Sequence, residues 1–515
     1  MRKPIAIPFV VEHAAGASFD ERLERIAGPL RALSEPQVRE RFALPASDVL
    51  VKTTLSLCAL CLAHVPAAVV QRAGRVWIVK DCALHGAAVA VIENDPAYYR
   101  VSSKDRWGRA YSQIARQDIP EFKGACCGPG QTCGPSSPSD AMQDFSDQLG
   151  NKTCTVLVEI TNACNLACRV CYSDSKGDRI LPFEDFKAHL IELARRKGRL
   201  DSVQVTGGEA SLHPQFWDIL RWLCAQDAVG KVYLPTNGLL FDKPGFVEKL
   251  APLRERVLVL LQFDGRDEVA NAPLRKAKPQ RVRERLIGKL DRAGIAMQLT
   301  MTLTRGVSEA DIAWVVKQGL KHRNVRLVAM QPAFFSGRYE LEPDANDRLT
   351  LSDCVKGVVA GLAGKTTEAD FLPIPCSHPN CGWVTLFARR FGIVRNIARH
   401  VDLDAVMNEV AYKTLLSKDE MRGVVGTKGT LASRALARIG RNLIRPQDVF
   451  GIAIKPFMDR FSYDQDRVSN CCHHILDTQG RPVSFCEYNA RLREGDSWVH
   501  LPSIRQPEVA REELA

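Results

Sequence analysis

From Thr155 to about Phe335, short β-branched apolar runs alternate with longer amphipathic stretches. Val156–Ile160, Val203–Thr206, Val232–Pro235, Val257–Asp264, Met297–Leu303 and Val325–Ala333 have the length and composition of buried strands. Between the first two, Pro182 to Arg196 carries a helical pattern. Six strand-helix repeats predict an α/β fold, an incomplete parallel (β/α)6 barrel, whose ligand-binding groups gather at the C-terminal strand ends. Earlier in the chain, Val69 to Val79 alternates as a short hairpin does. Later, Ala388 to Arg460 reads as a basic, helical insertion containing Arg389, Arg390, Arg395, Arg399, Lys428, Arg434, Arg438, Arg441 and Arg445. The pattern divides the chain into a metal-ribbon region (1–95), a cysteine-bearing segment (96–154), the barrel (155–335) and a C-terminal region (336–515).

At 515 residues the chain exceeds what one hydrophobic core usually supports, which agrees with several domains. Its 45% hydrophobic and 25% charged residues are ordinary for a globular protein. No apolar stretch approaches the roughly 20 residues that span a bilayer, and the N-terminus does not read as a secretory signal. A cytoplasmic protein is expected. The formal charge of +11 biases it mildly towards anionic partners. A basic face on the insertion could rest on the inner face of a membrane, although a solvated surface is the commoner explanation of such charges.

Seventeen cysteines in such a chain point to metal rather than disulfides. Cys58-x2-Cys61 and Cys82-x2-His85 form two knuckles joined by strands, the form of a zinc ribbon or rubredoxin-like site for one zinc or iron ion. Cys126, Cys127 and Cys133, with Cys154 just before the first barrel strand, could close a cluster. So could Cys376, Cys381, Cys471 and Cys486, with Cys472 the rival of Cys471. Cys224 and Cys354 read as ordinary buried thiols.

Cys164, Cys168 and Cys171, spaced C-x3-C-x2-C after the first strand, supply only three corners of a 4Fe-4S cube. One iron would remain open to a ligand, unless the three thiols form a structural zinc loop. Downstream, Gly207-Gly208-Glu209 ends the second strand. Glycines permit close backbone approach, and a carboxylate can take an α-ammonium group in a charge-assisted hydrogen bond. Thr236-Asn237-Gly238 and Gln262-Phe263-Asp264-Gly265 end the third and fourth strands. Met301, Thr302, Thr304 and Gln331 could contact a ligand at later strand ends, whereas His213 reads as a residue that opens a helix.

The cysteine triplet and Gly207-Gly208-Glu209 together resemble the radical SAM superfamily. That resemblance implies S-adenosylmethionine on the open iron of a 4Fe-4S cluster, with Cys164, Cys168 and Cys171 as the reactive centre. It also implies that Gly207, Gly208, Glu209, Thr236, Asn237, Gln262 and Asp264 line the cofactor. Val170 departs from the superfamily, which usually has an aromatic there. The wider layout, with Gln331-Pro332, Ser336-Gly337-Arg338, Pro375-Cys376-Ser377-His378-Pro379-x-Cys381 and Phe485-Cys486-x-Tyr488-Asn489, resembles the archaeal tetraether lipid synthase group. Some members of that group carry the label dihydro-hydroxymethylpterin methyltransferase. This second resemblance implies two auxiliary 4Fe-4S clusters, a low-potential flavodoxin- or ferredoxin-type electron donor, and carbon-carbon bond formation on a lipid or other hydrophobic substrate. A pterin methylase and a peptide-modifying enzyme are the alternatives within the superfamily. A metal-ribbon nucleic-acid-binding or electron-transfer protein is the alternative outside it, and it leaves the open triplet without a purpose.

Overall fold

The structure is a computed structural model that describes residues 19–102, 153–173, 175, 177–341, 344–362, 364–374, 377–400, 445–469 and 471–504. Its N-terminal unit is an antiparallel sheet of β1 (Val49–Leu57), β2 (His64–Arg72), β3 (Arg75–Cys82) and β4 (Gly86–Glu93) in sequential order. One face of that sheet packs on the helix Phe19–Arg31, where Leu23, Ile26 and Leu30 meet Leu55, Ala68 and Val70. The expected hairpin is β2–β3, closed by Ala73-Gly74, both with positive φ as its tight turn requires.

The next strands are β5 (Thr155–Thr161), β6 (Val170–Cys171), β7 (Leu200–Gly207), β8 (Val229–Thr236), β9 (Val257–Gln262), β10 (Met297–Leu303), β11 (Val325–Pro332) and β12 (Arg338–Tyr339). They are followed by β13 (Leu372–Pro373), β14 (Trp383–Arg390), β15 (Ile393–Asn396), β16 (Val449–Ile454), β17 (His473–Leu476) and β18 (Pro482–Ser484). Strands β5, β7, β8, β9, β10 and β11 are the six expected parallel strands, each paired with the next. The expected helix spans Phe183–Lys197 and buries Phe186, Leu190 and Leu193 on the sheet. Two strand limits were too long: β9 stops at Gln262 and β11 at Pro332, beyond which single bonds from the Phe263 N–H to the Thr300 carbonyl and from the Ala333 N–H to the Leu303 carbonyl end the ladder.

The C-terminal region does not stand apart from the barrel. It extends the sheet at both edges, giving the order β13-β14-β16-β11-β10-β9-β8-β7-β5-β17-β18. The basic insertion is thereby corrected, since Ala388–Arg390, Ile393–Asn396 and Val449–Ile454 are strands; residues 401–444 lie outside those described. Val449–Ile454 is apolar throughout and buried on both faces after Val449, so no two-residue alternation marks it as a strand. No helix among the described residues is long and apolar enough to cross a membrane.

The ribbon docks on the C-terminal region through buried polar groups. Lys52 Nζ donates to Asp464 and Asp466, each at 2.8 Å. Thr54 Oγ1 donates to Asp464 at 2.7 Å, and Ser56 Oγ to the Tyr463 carbonyl at 2.6 Å. Lys80 Nζ reaches the Leu57 and Arg460 carbonyls at 2.9 and 2.7 Å. Buried donors and charges cost free energy unless they are paired in this way, so the two regions fit each other in one register.

Candidate metal centre and cofactor site

Strands β1 and β3 end at the two knuckles, which bring Cys58, Cys61, Cys82 and His85 together with all four ligand atoms within 4.8 Å of one another. His85 Nδ1 lies 3.5 Å from both the Cys58 and the Cys82 sulfur, and the Cys61 and Cys82 sulfurs are 3.9 Å apart. A tetrahedral zinc with Zn–S about 2.3 Å and Zn–N about 2.0–2.1 Å would place sulfurs about 3.8 Å apart and sulfur and nitrogen about 3.6 Å apart. The observed separations match, so these residues fit a metal ion. Burial raises the Cys58 thiol, but the backbone N–H groups of Cys61 and Leu60 outweigh it and bring it down to about 7.

Cys164, Cys168 and Cys171 follow β5 in a loop held on three sides. The Arg169 N–H donates to the Leu274 carbonyl at 2.8 Å, and the Glu340 N–H donates to the Arg169 carbonyl at 2.8 Å. The two-residue strand β6 pairs antiparallel with β12, setting Arg338 opposite Cys171. On the third side lies the end of β7, where the Gly208 and Glu209 N–H groups donate to the Thr161 and Ala163 carbonyls at 2.8 Å each. A Cβ on Gly207 would sit 2.1 Å from the Thr161 carbonyl oxygen, and one on Gly208 would sit 1.9 Å from that of Ala163. The glycines thus let β7 approach the cysteine loop itself, not only a ligand. Gly337 does the same from β12, where a Cβ would lie 2.4 Å from the Tyr172 carbonyl oxygen.

All three thiols are half-buried. Burial and the Glu209 carboxylate push Cys164 up. Cys171 is held below the usual thiol range: burial opposes ionisation, but the Ser173 hydroxyl 3.4 Å away and the Arg338 guanidinium outweigh it. Cys168 and Cys171 both act electrostatically on Cys164, so the three thiols share one environment on this loop, and three thiols with no fourth among them fit a cluster bound from one side.

Each strand-end residue has a defined neighbour. Buried Glu209 accepts from Ser211 Oγ (2.7 Å), Thr236 Oγ1 (3.0 Å) and the Asn237 N–H (2.9 Å), and the Ser211 N–H also acts on it. Burial raises its carboxyl against those donors. Asn237 Nδ2 donates to Asn165 Oδ1 in the cysteine loop at 2.7 Å. Gln262 donates to Asp264 at 2.7 Å. Asp264 is fully buried and committed to protein partners: Arg275 grips it at 2.7 and 2.8 Å, and the Thr302 N–H donates to it at 3.1 Å. Burial would raise Asp264, yet Arg275 overrides that and holds it below the usual carboxylate range.

Arg275 and Asn165 are functional-site residues that sequence reasoning missed. Asn165 lies between two of the cysteines, a position that could have flagged it. Arg275 ends the helix Glu268–Arg275 and carries no local signal. His213 Nε2 donates to the Leu181 carbonyl and its Nδ1 accepts the Gln215 N–H, as a residue opening a helix should. Cys354 is buried as expected, while Cys224 is only half-buried.

Of the outer cysteines, Cys126, Cys127, Cys133 and Cys376 lie outside the described residues. Cys154 packs against Cys472 and Ile374, and its N–H donates to the Cys472 carbonyl at 2.9 Å. Cys471, Cys381 and Cys486 instead share one electrostatic environment with Arg467. Burial pushes Cys471 up to about 11 and Cys486 up to about 12. The His473 and Met458 N–H groups donate to the Cys471 and Cys486 sulfurs at 3.4 Å each. Between this group and the triplet, Tyr172 meets Phe485 edge-to-face at 5.3 Å, and Phe485 meets Phe457 at 4.6 Å and Phe334 at 6.3 Å.

The Radical SAM superfamily model matches residues 158–318, and that of the HMPTM N-terminal zinc ribbon domain matches residues 50–94. The chain therefore carries a radical SAM domain behind a zinc ribbon. A curated relative, the 7,8-dihydro-6-hydroxymethylpterin dimethyltransferase of Methanocaldococcus jannaschii, is 25% identical across 86% of this chain and 94% of its own length. GTP 3',8-cyclase of Chlorobaculum tepidum is 25% identical over 48% of this chain and 75% of its own. Among solved structures, Streptococcus suis SuiB is 16% identical with a TM-score of 0.34, covering 56% of this chain and 66% of that one.

Proposed function

We propose that this radical SAM enzyme removes hydrogen from an unactivated carbon of a hydrophobic substrate, of the lipid class, and joins that carbon to another. When bound, the 4Fe-4S cluster and S-adenosylmethionine supply a 5'-deoxyadenosyl radical. Cys164, Cys168 and Cys171 would hold the cluster, and Glu209, the buried carboxylate beside their loop, would take the cofactor's α-ammonium group in exchange for one of its present hydroxyl donors. Asn237, fixed between Glu209 and Asn165, keeps the carboxylate and the cysteine loop in one register. Asp264 acts through Arg275, which it orients beside the loop. Cys381, Cys471 and Cys486 are the described part of a second cluster site.

The aromatic patch beyond Cys171 carries the substrate reading: Tyr172, Phe334 and Phe457 are half-buried around buried Phe485. Such a wall excludes water and favours apolar contact. Joining two C–H carbons removes two hydrogen atoms, each leaving on one 5'-deoxyadenosine. Anaerobically reconstituted protein with dithionite, S-adenosylmethionine and a saturated lipid should form two 5'-deoxyadenosines per new carbon-carbon bond. Cluster-loaded protein that forms no 5'-deoxyadenosine would sink the reading. The name of the M. jannaschii relative favours a second reading, methylation of a pterin-like molecule, for which S-adenosylhomocysteine would accompany 5'-deoxyadenosine.

A further inference from the structure

The hairpin of β14 and β15 ends in a feature that folding alone does not explain. Arg390 pairs with Ile393, so the connecting loop is two residues, Phe391-Gly392, with φ of 51° and 75°. Two positive φ values define the turn that favours Asn-Gly or Asp-Gly, and a bulky side chain at the first position is strained. Phe391 occupies it nonetheless, and it is 87% exposed, the highest value among the exposed large hydrophobic residues described. Its neighbour across the turn, Ile393, is 57% exposed. Lone apolar residues on a surface are common, but here two stand together on a strained tip.

The rest of the hairpin is rigid and positively charged. Arg389 turns inward, and its guanidinium donates to the carbonyls of Gly319, His322, Arg323 and Val325 at 2.6–2.9 Å, fixing the base to the end of the helix Ile312–Lys321. Val394 packs on the main core. The Arg390 guanidinium lies 4.8 Å from the Phe391 ring centre, and Arg395 is exposed on the same face as Ile393. From Trp383 to Arg399 there are four arginines and no carboxylate. Arg399, at the foot of the hairpin, pairs with Asp370 at 2.8 Å, and Asp448 and Asp291 are engaged at the base by Arg323, His322 and Asn324.

From this geometry we infer that the Arg390–Arg395 hairpin is a membrane-docking finger that inserts Phe391 and Ile393 among the acyl chains of an anionic bilayer while Arg390 and Arg395 meet its headgroups. An aliphatic and an aromatic tip flanked by cations suits a lipid interface; a nucleic-acid surface would give Ile393 no partner. The finger lies beside the start of β16, whereas the cysteine triplet follows the end of β5, so docking uses the barrel end opposite the cofactor site. The inference is independent of which substrate the enzyme takes.

Sedimentation of the full-length holoenzyme with phosphatidylglycerol vesicles against phosphatidylcholine vesicles tests it. The expected result is binding to the former only, weakening as salt rises. Phe391→Asn restores the preferred turn residue, so it should stabilise the fold yet lower vesicle partition about ten-fold. Phe391→Leu should retain most binding. Arg390→Ser with Arg395→Ser should lower partition about ten-fold or more and flatten the salt dependence. Cleavage of S-adenosylmethionine in vesicle-free buffer should be unchanged in every variant. Equal binding to both vesicles, full binding by Phe391→Asn, or a self-association that Phe391→Asn abolishes would each overturn the inference.

Discussion

The ribbon centre and the cysteine triplet both hold metal-ligating side chains on tight loops after a strand, yet they are built in opposite ways. In the ribbon, two knuckles of near-identical sequence, Cys58-Ala-Leu-Cys61 and Cys82-Ala-Leu-His85, bring four donors to tetrahedral separations using contacts within residues 58–85. The triplet has three donors, and its loop takes its shape from distant parts of the chain: Gly207 and Gly208, Leu274, Gly337 and Arg338, and Glu340. A structural site closes on itself, whereas a reactive one must leave a face open and borrow its rigidity from elsewhere.

Separate removal of one ligand from each site should produce the largest effects and divide them cleanly. Cys168→Ala is expected to bring 5'-deoxyadenosine formation to background while the ribbon retains its full equivalent of metal. Cys82→Ser should lose that equivalent and loosen the ribbon, because metal binding and folding of such sites are one equilibrium. The triplet's cluster should still assemble. Metal analysis beside product analysis checks both, and a Cys82→Ser protein with neither metal nor cluster would show that the two regions are not separable.

A glycine exchange in each region gives a smaller and more specific contrast. Gly208→Ala puts a methyl group 1.9 Å from the Ala163 carbonyl oxygen, so the loop must move. Loss of most cluster absorbance is expected, with a stability cost of about 1–3 kcal/mol. Gly86→Ala in the ribbon meets no atom within 4 Å and is opposed only by its φ of 72°. A cost of about 1 kcal/mol with metal fully retained is expected there. Thermal unfolding together with iron and zinc content would measure both.

The same contrast accounts for what could be read from the sequence. Ribbon ligands and the six barrel strands are local patterns, so spacing and apolar runs sufficed to find them. The triplet's thiols were equally legible, but their support was not. Arg275 reaches Asp264 across a loop, and Arg338 meets Cys171 through a two-residue ladder, neither of which leaves a periodic trace. The end of β14, β15 and β16 were misread as part of a basic helical insertion, because β16 is apolar on both faces without alternation and Arg389 of β14 turns inward where an apolar residue would mark a strand. Only the structure separates Cys471 from Cys472, adjacent residues whose side chains join different neighbours.

An effect confined to acid pH concerns the loop on which the ribbon rests. Asp459 is buried there, pairs with Arg348, and accepts the Phe335 N–H at 3.0 Å together with the N–H and hydroxyl of Ser462 at 3.0 and 2.9 Å. Burial would raise its carboxyl, but Arg348 and those donors hold it at about 2. An unfolded aspartate titrates near about 3.9. The folded value is the lower one, so the pair's contribution is fully present above about pH 4 and is lost as pH falls towards 2. Linkage sets that contribution at about 2–3 kcal/mol. Asp459 precedes Arg460, Tyr463 and Asp464, to which Lys80, Ser56 and Thr54 donate, so acid should weaken ribbon docking there while the β7 cradle keeps its backbone bonds to the cysteine loop. Hydrogen exchange in β1 and β5 across this pH window would show the difference. Asp459→Asn cannot titrate and should flatten the pH slope in β1. Proton-driven metal release from the ribbon is common to both proteins, so a slope that persists unchanged in the variant would place the acid-sensitive contact elsewhere.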